Sequence, residues 1–321
     1  MPDLTPKLFN FVIQGAPSSV AKRALMAKFA DGVSTTKCKT FLVNSLANPA
    51  RFISTRDFAL IWGYSKWASS AERFWKRHGG DPKNIIFFEG NVLKARETIK
   101  AEVYRFPMGS IFNDEAYYME HTAKELDEKY TRLSEHVNLN YKPWAKNKDG
   151  HILIYMNRGG SGWGNFGVSV WPWLEKTVYR IREFSNRPII VKDHPGRIII
   201  DKEEKQNKTK ALDNIKSLNV KFMHDVTTDL NLKNKKILNT AHSAVVLGST
   251  AGLVSMMEGI PSFADHPKAV LNKWSCGRIE DIESPKYPSR DEFIEWYCKT
   301  HWVLKDVEQG QYWNKLLKEK R

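Results

Sequence analysis

The sequence predicts an α/β protein made of two Rossmann-like domains facing across a cleft, and three observations carry that expectation. Short apolar runs of strand length alternate with helical patterns, which calls for right-handed crossovers and a mostly parallel sheet. The alternation occurs twice, on either side of a polar stretch, YKPWAKNKDG at 141–150, whose proline and closing Asp-Gly read as a linker. The chain has 321 residues, more than one core usually supports, so two domains of about 150 residues each are expected.

In the first half, Leu8 to Gln14 reads as a buried strand and Gly15 to Ser19 as a turn, with Ser18 or Ser19 able to cap a helix running to Ala30. Strands follow at Thr40–Val43, Phe58–Trp62 and Asn84–Phe88, with a helix over Ser69–Arg77. The second half opens with a strand at His151–Met156, a Gly-rich loop from Arg158 to Gly167, a helix from Val170 to Phe184 and a strand at Pro188–Lys192. It continues through a charged, insertion-like stretch at Asp201–Lys210, a strand at Val220–Met223, a helix near Leu232–Thr240 and a strand at Ala244–Leu247. A loop of small residues, Gly248 to Gly252, then leads into a helix ending at Glu258 and Gly259, and Ser262–Ala264 is a short strand. After Pro288 the pattern is helical to the end. The expected division is 1–145, 146–285 and a set of C-terminal helices, 286–321, crossing back onto the first domain.

Composition narrows the class. Hydrophobic residues make up 41% and aromatics 12% of the chain, which excludes a disordered protein. Cys38, Cys276 and Cys298 are far apart and without CxxC spacing, so neither a disulfide framework nor a zinc site is indicated. No apolar run reaches the ~18 to 20 residues of a membrane span, and no secretory leader is visible, so a cytoplasmic location without membrane association is expected. Fifty Lys and Arg against 36 Asp and Glu give a formal charge of +14, which points to a polyanionic partner such as DNA. The competing reading is a merely soluble basic protein.

Three clusters concentrate the candidate ligand chemistry. In His242 to Pro261 a buried strand delivers a small-residue loop to a helix start, where Ser249, Thr250 and backbone N–H groups can hold a phosphate or diphosphate. Glu258, at the end of that helix, can accept hydrogen bonds from ribose hydroxyls; the alternative is a solvated acid after an ordinary turn. Lys192-Asp193-His194-Pro195-Gly196 follows a strand at the edge where open α/β sheets bind ligands, and His194 can donate to phosphate or sugar. Arg158, Gly160 and Ser161 belong to a Gly-rich loop after the first strand of the second half, suited to donor phosphates. That loop lacks the Gly-Lys-Ser/Thr of a Walker A motif and the spacing of a dinucleotide fingerprint, which counts against ATPases and dehydrogenases.

In the first half, Glu89 follows a buried strand and is the candidate base for deprotonating an acceptor hydroxyl, with Asp114 as the next carboxylate. Arg96, Arg105 and Asn113 are candidate acceptor contacts. The competing reading of Glu89 is a strand-end acid satisfied by backbone or by Arg105.

The order ILIYMNRGGSGWG, WLEKTVYRIREFSNRPIIVKDHPG, a strand-loop-helix ending in EGIPSFA, and IEDIESPKYPSRDEFIEWYCKTHW resembles a group of bacteriophage proteins of DNA-modifying glycosyltransferase type, over most of residues 84–313. The His-Pro and Ser/Thr…Glu-Gly-x-Pro pairing is also similar to capsule-polysaccharide transferases of the GT-B architecture. The resemblance implies a nucleotide-sugar donor in the second domain, contacted by His194, Ser249, Thr250 and Glu258. The pattern of the viral β-glucosyltransferase is not matched, so the sugar and the anomeric outcome stay open. The function expected is transfer of a sugar, UDP-linked by default, to a hydroxymethylated pyrimidine in DNA. Trp62, Trp67 or Trp163 could fill the space of a flipped base. A polysaccharide or lipid-linked acceptor is the first alternative, and a non-catalytic nucleic-acid-binding protein the second. Without a DxD-like pair, no metal or other cofactor is expected to be required. The oligomeric state is not readable.

Overall fold

The computed structural model describes residues 10–14, 20–36, 38–43, 57–62, 73, 75–77, 79–93, 102–110, 115–157, 168–194, 202–223 and 232–320. The chain forms two compact units, Met1–Leu139 with Ile294–Arg321, and Asn140–Phe293.

The first unit holds strands β1 (Asn10–Gln14), β2 (Lys39–Val43), β3 (Phe58–Trp62), β4 (Ile85–Gly90), β5 (Val103–Arg105) and, from the end of the chain, β11 (His301–Val303). They lie in the order β11-β5-β4-β3-β1-β2. The four from β1 to β4 pair in parallel, whereas β5 runs antiparallel to β4 and β11 antiparallel to β5. Ile85 to Phe88 are buried at successive positions, the pattern of a strand covered on both faces. On one face Phe29, from helix α1 (Val20–Ser34), stands edge-on to Phe88 at 4.9 Å and to Phe106 at 5.5 Å. Tyr312, from the last helix α9 (Gln311–Lys320), packs 4.6 Å from Phe106. Helix α8 (Leu304–Glu308) passes so near α1 that a Cβ on Gly32 would lie 2.0 Å from the Val307 carbonyl oxygen, so only glycine fits there.

Three features of this unit depart from the sequence expectation, the first being the short strand β5, which was not anticipated. Helix α2 (Ala123–His136) was not anticipated, although Thr122 and Glu125 close a reciprocal capping box at its start. The C-terminal stretch is interrupted by β11, where His301, Trp302 and Val303 are all buried and pair with Arg105, Tyr104 and Val103. Burial of bulky side chains against a sheet edge outweighs a helical pattern read from spacing alone.

The second unit holds β6 (His151–Tyr155), β7 (Ile189–Lys192), β8 (Val220–Met223), β9 (Ala241–Val246) and β10 (Ser262–Ala264). The order is β10-β9-β6-β7-β8 and every pairing is parallel. The helices are α3 (Val170–Arg182), α4 (Lys202–Ile215), α5 (Leu232–Asn239) and α6 (Ala251–Met257), while α7 (Arg290–Thr300) spans the boundary between the units.

The stretch Asp201–Lys210, expected as an insertion, lies largely in α4. Its lysines, glutamates and glutamine are good helix formers, and Ala211 and Ile215, four apart, bury one side of it. The stretch expected to be a linker is part of the second unit, for Lys142 N–H donates to the Met257 carbonyl at 2.9 Å and Ala145 N–H to that of Gly259 at 2.8 Å. Arg290 stacks on Tyr141 and Trp144 in the same segment, 4.2 and 4.0 Å from their ring centres. The division therefore falls just before Asn140, and again inside α7.

Candidate functional site

Taken from β8, the second unit's strands run third, second, first, fourth, fifth in chain order, so the order reverses between β6 and β9. In open parallel sheets such a reversal sends the flanking crossovers to opposite faces and opens a crevice at the carboxyl ends of the two strands. Asn157 stands two residues past β6 and Gly248 two past β9. The Gly248 N–H donates to Asn157 Oδ1 at 3.4 Å, and Asn157 is 7% exposed, so a buried amide spans the reversal. Asn157 was not singled out from sequence; its signal is position alone, a polar residue ending a buried run.

Val245 and Val246 at the end of β9 and Leu247 just past it are buried, Gly248 and Ser249 half-buried and Thr250 exposed. Ser249 Oγ accepts from Ala251 N–H at 3.3 Å, and Thr250 precedes α6 without a side-chain cap hydrogen bond. A Cβ on Gly252 would lie 2.6 Å from Leu271 Cδ2 and 2.9 Å from Val246 Cγ2. Glycine there lets α6 seat directly on β9, which fixes the Ser249–Thr250 loop.

On the other side of β6, Met156 N–H donates to the Lys192 carbonyl at 3.0 Å and Asp193 N–H to that of Met223 at 3.1 Å. The Asp193 carboxylate accepts from His194 N–H at 2.8 Å, turning the chain at the strand end. Lys192, Asp193 and His194 are half-buried there. The sheet thus brings Lys192, His194, Ser249 and Thr250 to one carboxyl edge.

Glu258 lies elsewhere. It ends α6, seven residues long, so at 1.5 Å per residue it stands roughly 10 Å along the helix from the loop. There it forms an ion pair with Lys142. Gly259 follows at φ +85°, and a Cβ on it would meet the Pro143 carbonyl oxygen at 2.2 Å. Its N–H and that of Ile260 donate to Met256 and Ser255, closing the helix in the six-to-one pattern that glycine permits.

In the first unit Glu89 and Arg105 are register partners on β4 and β5 and form an ion pair. The Arg105 side chain is buried and that of Glu89 partly open. Burial works against the Arg105 charge, but Glu89 and Tyr118 outweigh it and hold the guanidinium above its ordinary value. Asp114, Arg158, Gly160, Ser161, Arg96 and Asn113 lie outside the described residues, as do Trp67 and Trp163. Among the described residues, no group of three or more His, Cys, Asp or Glu is placed to hold a metal ion, and no helix is long and apolar enough to cross a membrane.

The second unit is thus a parallel α/β sheet with polar residues gathered at its strand-order reversal. Among solved structures the chain is similar to "Thermosulfurimonas dismutans KpsC, beta Kdo 2,7 transferase", with a TM-score of 0.51 and 13% sequence identity over 98% of this chain and 100% of that one. At that identity the likeness is one of fold. No family model and no curated protein matches the sequence.

Proposed function

We propose that the protein is a glycosyltransferase of GT-B type, moving a sugar from a nucleoside diphosphate donor, UDP-linked by default, to a hydroxyl of a saccharide acceptor. The observation that carries this reading is the β6/β9 reversal bridged by Asn157 and Gly248, with Lys192 and His194 on one side and Ser249 and Thr250 on the other. Such an edge suits an extended anion: the loop after β9 takes the diphosphate, and Lys192 and His194 supply positive charge and a donor. Arg158, Gly160 and Ser161 complete the phosphate contacts, while Glu258, at the far end of α6, pairs with Lys142. Arg96 and Asn113 serve the acceptor, the buried Arg105 holds Glu89 in place, and Glu89 or Asp114 takes the acceptor proton.

In the reaction the acceptor oxygen bonds to the anomeric carbon, the carbon–oxygen bond to the diphosphate breaks, and the nucleoside diphosphate leaves with that electron pair. The acceptor proton passes to the base. The likeness in fold to a Kdo transferase favours a saccharide acceptor in this reading. The test is incubation with a panel of nucleotide sugars and oligosaccharides, following nucleoside diphosphate release and glycan mass.

The charge of +14 favours a second reading in which the acceptor is a hydroxymethylated pyrimidine in DNA. Nucleoside mass spectrometry after incubation with hydroxymethylated and unmodified DNA separates the two.

A further inference from the structure

The tripeptide Asp-His-Pro occurs twice in the sequence, at 193–195 and at 265–267. Each copy directly follows a strand of the same sheet, β7 ending at Lys192 and β10 at Ala264. The local pairing is the same in both. Lys192 lies opposite Met223, and Asp193 N–H donates to the Met223 carbonyl at 3.1 Å. Ala264 lies opposite Val246, and Asp265 N–H donates to the Val246 carbonyl at 2.8 Å.

In the order β10-β9-β6-β7, the two copies flank the reversal from either side. Three strand spacings of about 4.8 Å separate the copies by roughly 14 Å. That is a span a nucleoside diphosphate sugar can fill and a single phosphate or monosaccharide cannot.

The first copy belongs to the donor site already described, while the second has no role there. Its aspartate is a buttress: Asp265 accepts from Trp173 Nε1 at 2.7 Å, Thr177 Oγ1 at 3.1 Å and Arg180 at 2.8 Å, all on α3. This fixes the chain's exit from β10, and with it the next residue. His266 is half-buried, its Nδ1 accepts from Lys268 N–H at 3.1 Å, and its carbonyl accepts from Ala269 N–H at 3.0 Å. An imidazole whose Nδ1 accepts a hydrogen bond is neutral and carries its proton on Nε2. Burial, reinforced by Lys268, holds its pKa below the ordinary value, in keeping with that tautomer.

Resting on the donor-site reading above, we propose that His266 is a second binding residue for the donor, with Nε2–H donating to the nucleoside diphosphate portion. The nucleotide portion is favoured over the sugar because β10 lies hydrogen-bonded beside β9, whose Gly248–Thr250 loop faces the diphosphate in that reading. Lys268, two residues on, adds positive charge to the same turn.

The test is calorimetric titration of the full chain and of His266→Ala, His266→Phe and His266→Gln with UDP, ADP, GDP, CDP and TDP. The nucleotide that binds the wild type is expected to bind His266→Ala and His266→Phe on the order of tenfold more weakly. His266→Gln, which keeps an N–H donor, is expected to recover most of the loss. His266→Phe keeps the ring volume and decides the matter should His266→Ala unfold. Unchanged dissociation constants in the Ala and Phe variants overturn this inference and leave the donor reading standing. Failure of the wild type to bind any of these nucleotides overturns both.

Discussion

Asn157 Oδ1 accepts a hydrogen bond from Gly248 N–H, joining the ends of β6 and β9 where the strand order of the second unit reverses. A buried amide hydrogen-bonded in this way ties the two strand ends together. Asn157→Ala should leave an unsatisfied backbone donor and cost about 1 to 2 kcal/mol of stability. It should also weaken nucleotide binding beyond that of a surface control. Chemical denaturation and calorimetry on the same preparation check both, and unchanged nucleotide affinity would remove Asn157 from the site.

Gly252 carries a second structural demand of the same loop. A Cβ there meets Leu271 and Val246 side chains at 2.6 and 2.9 Å. Gly252→Ala is expected to lift α6 from β9 and cost about 1 to 3 kcal/mol, the range for overpacking. The denaturation midpoint reads it, and a midpoint equal to the wild type's would show that the helix gives way freely.

The Lys142–Glu258 pair is partly exposed on both sides, so its contribution to stability is at most about 1 kcal/mol. Glu258→Ala should therefore fold normally and, with the carboxylate roughly 10 Å along α6 from the Ser249–Thr250 loop, leave nucleotide affinity unchanged. Weaker nucleotide binding by calorimetry in this variant would contradict that placement.

Glu89 faces a buried guanidinium. Removing its charge in Glu89→Gln takes the carboxylate from the buried Arg105, and a stability loss of about 3 kcal/mol is expected. Turnover of the folded fraction should fall on the order of 10² to 10⁴ if the carboxylate is also the acceptor-side base. Thermal denaturation and turnover, measured together, separate the effects; loss of stability with normal turnover leaves Glu89 as Arg105's partner only.

Acid should destabilise the first unit. Burial, with Lys129 and Lys315 nearby, holds His121 down to about 3, and burial with Arg105 nearby holds His301 well below its ordinary value. Both stay neutral in the fold and take up protons on unfolding. Their stability is therefore full above an unfolded pKa of about 6.5 and falls with acid, by about 1.4 kcal/mol per pH unit for each histidine. Glu125, held down to about 2 by Lys315 and Thr122, adds loss in the same direction below its ordinary value. Urea midpoints between pH 7 and pH 4 should fall, and the slope should flatten in His121→Phe, whose ring keeps the packing against Trp302. An unaltered slope would contradict the assignment.

What the sequence showed and what it hid follow from the kind of signal each element carries. Phe58–Trp62, Val220–Met223 and Ser262–Ala264 have the bounds expected: the first is a continuous apolar run, and the other two are short stretches closed on both sides by polar or proline residues, with Lys221 exposed in Val220–Met223. Helix α4 was hidden by its charge, since Ala211, Ile215 and the partly buried Leu212 are all it packs on the hydrophobic core. Strand β11 was hidden because it is made by a long-range pairing with β5, which local spacing does not record. At the site, Lys192, His194, Ser249 and Thr250 were legible as strand-end polar residues. Asn157 and the second Asp-His-Pro acquire meaning only once the strand order is known.

The central claim, that the second unit holds a nucleotide-sugar donor for transfer, is tested most directly by acceptor-dependent release of nucleoside diphosphate. The chain is incubated with UDP-glucose and a panel of other nucleotide sugars, with and without oligosaccharide or hydroxymethylated DNA. The account predicts that one donor raises the melting temperature and releases its nucleoside diphosphate when an acceptor is present. No stabilisation by any donor, together with no acceptor-dependent release, would contradict it.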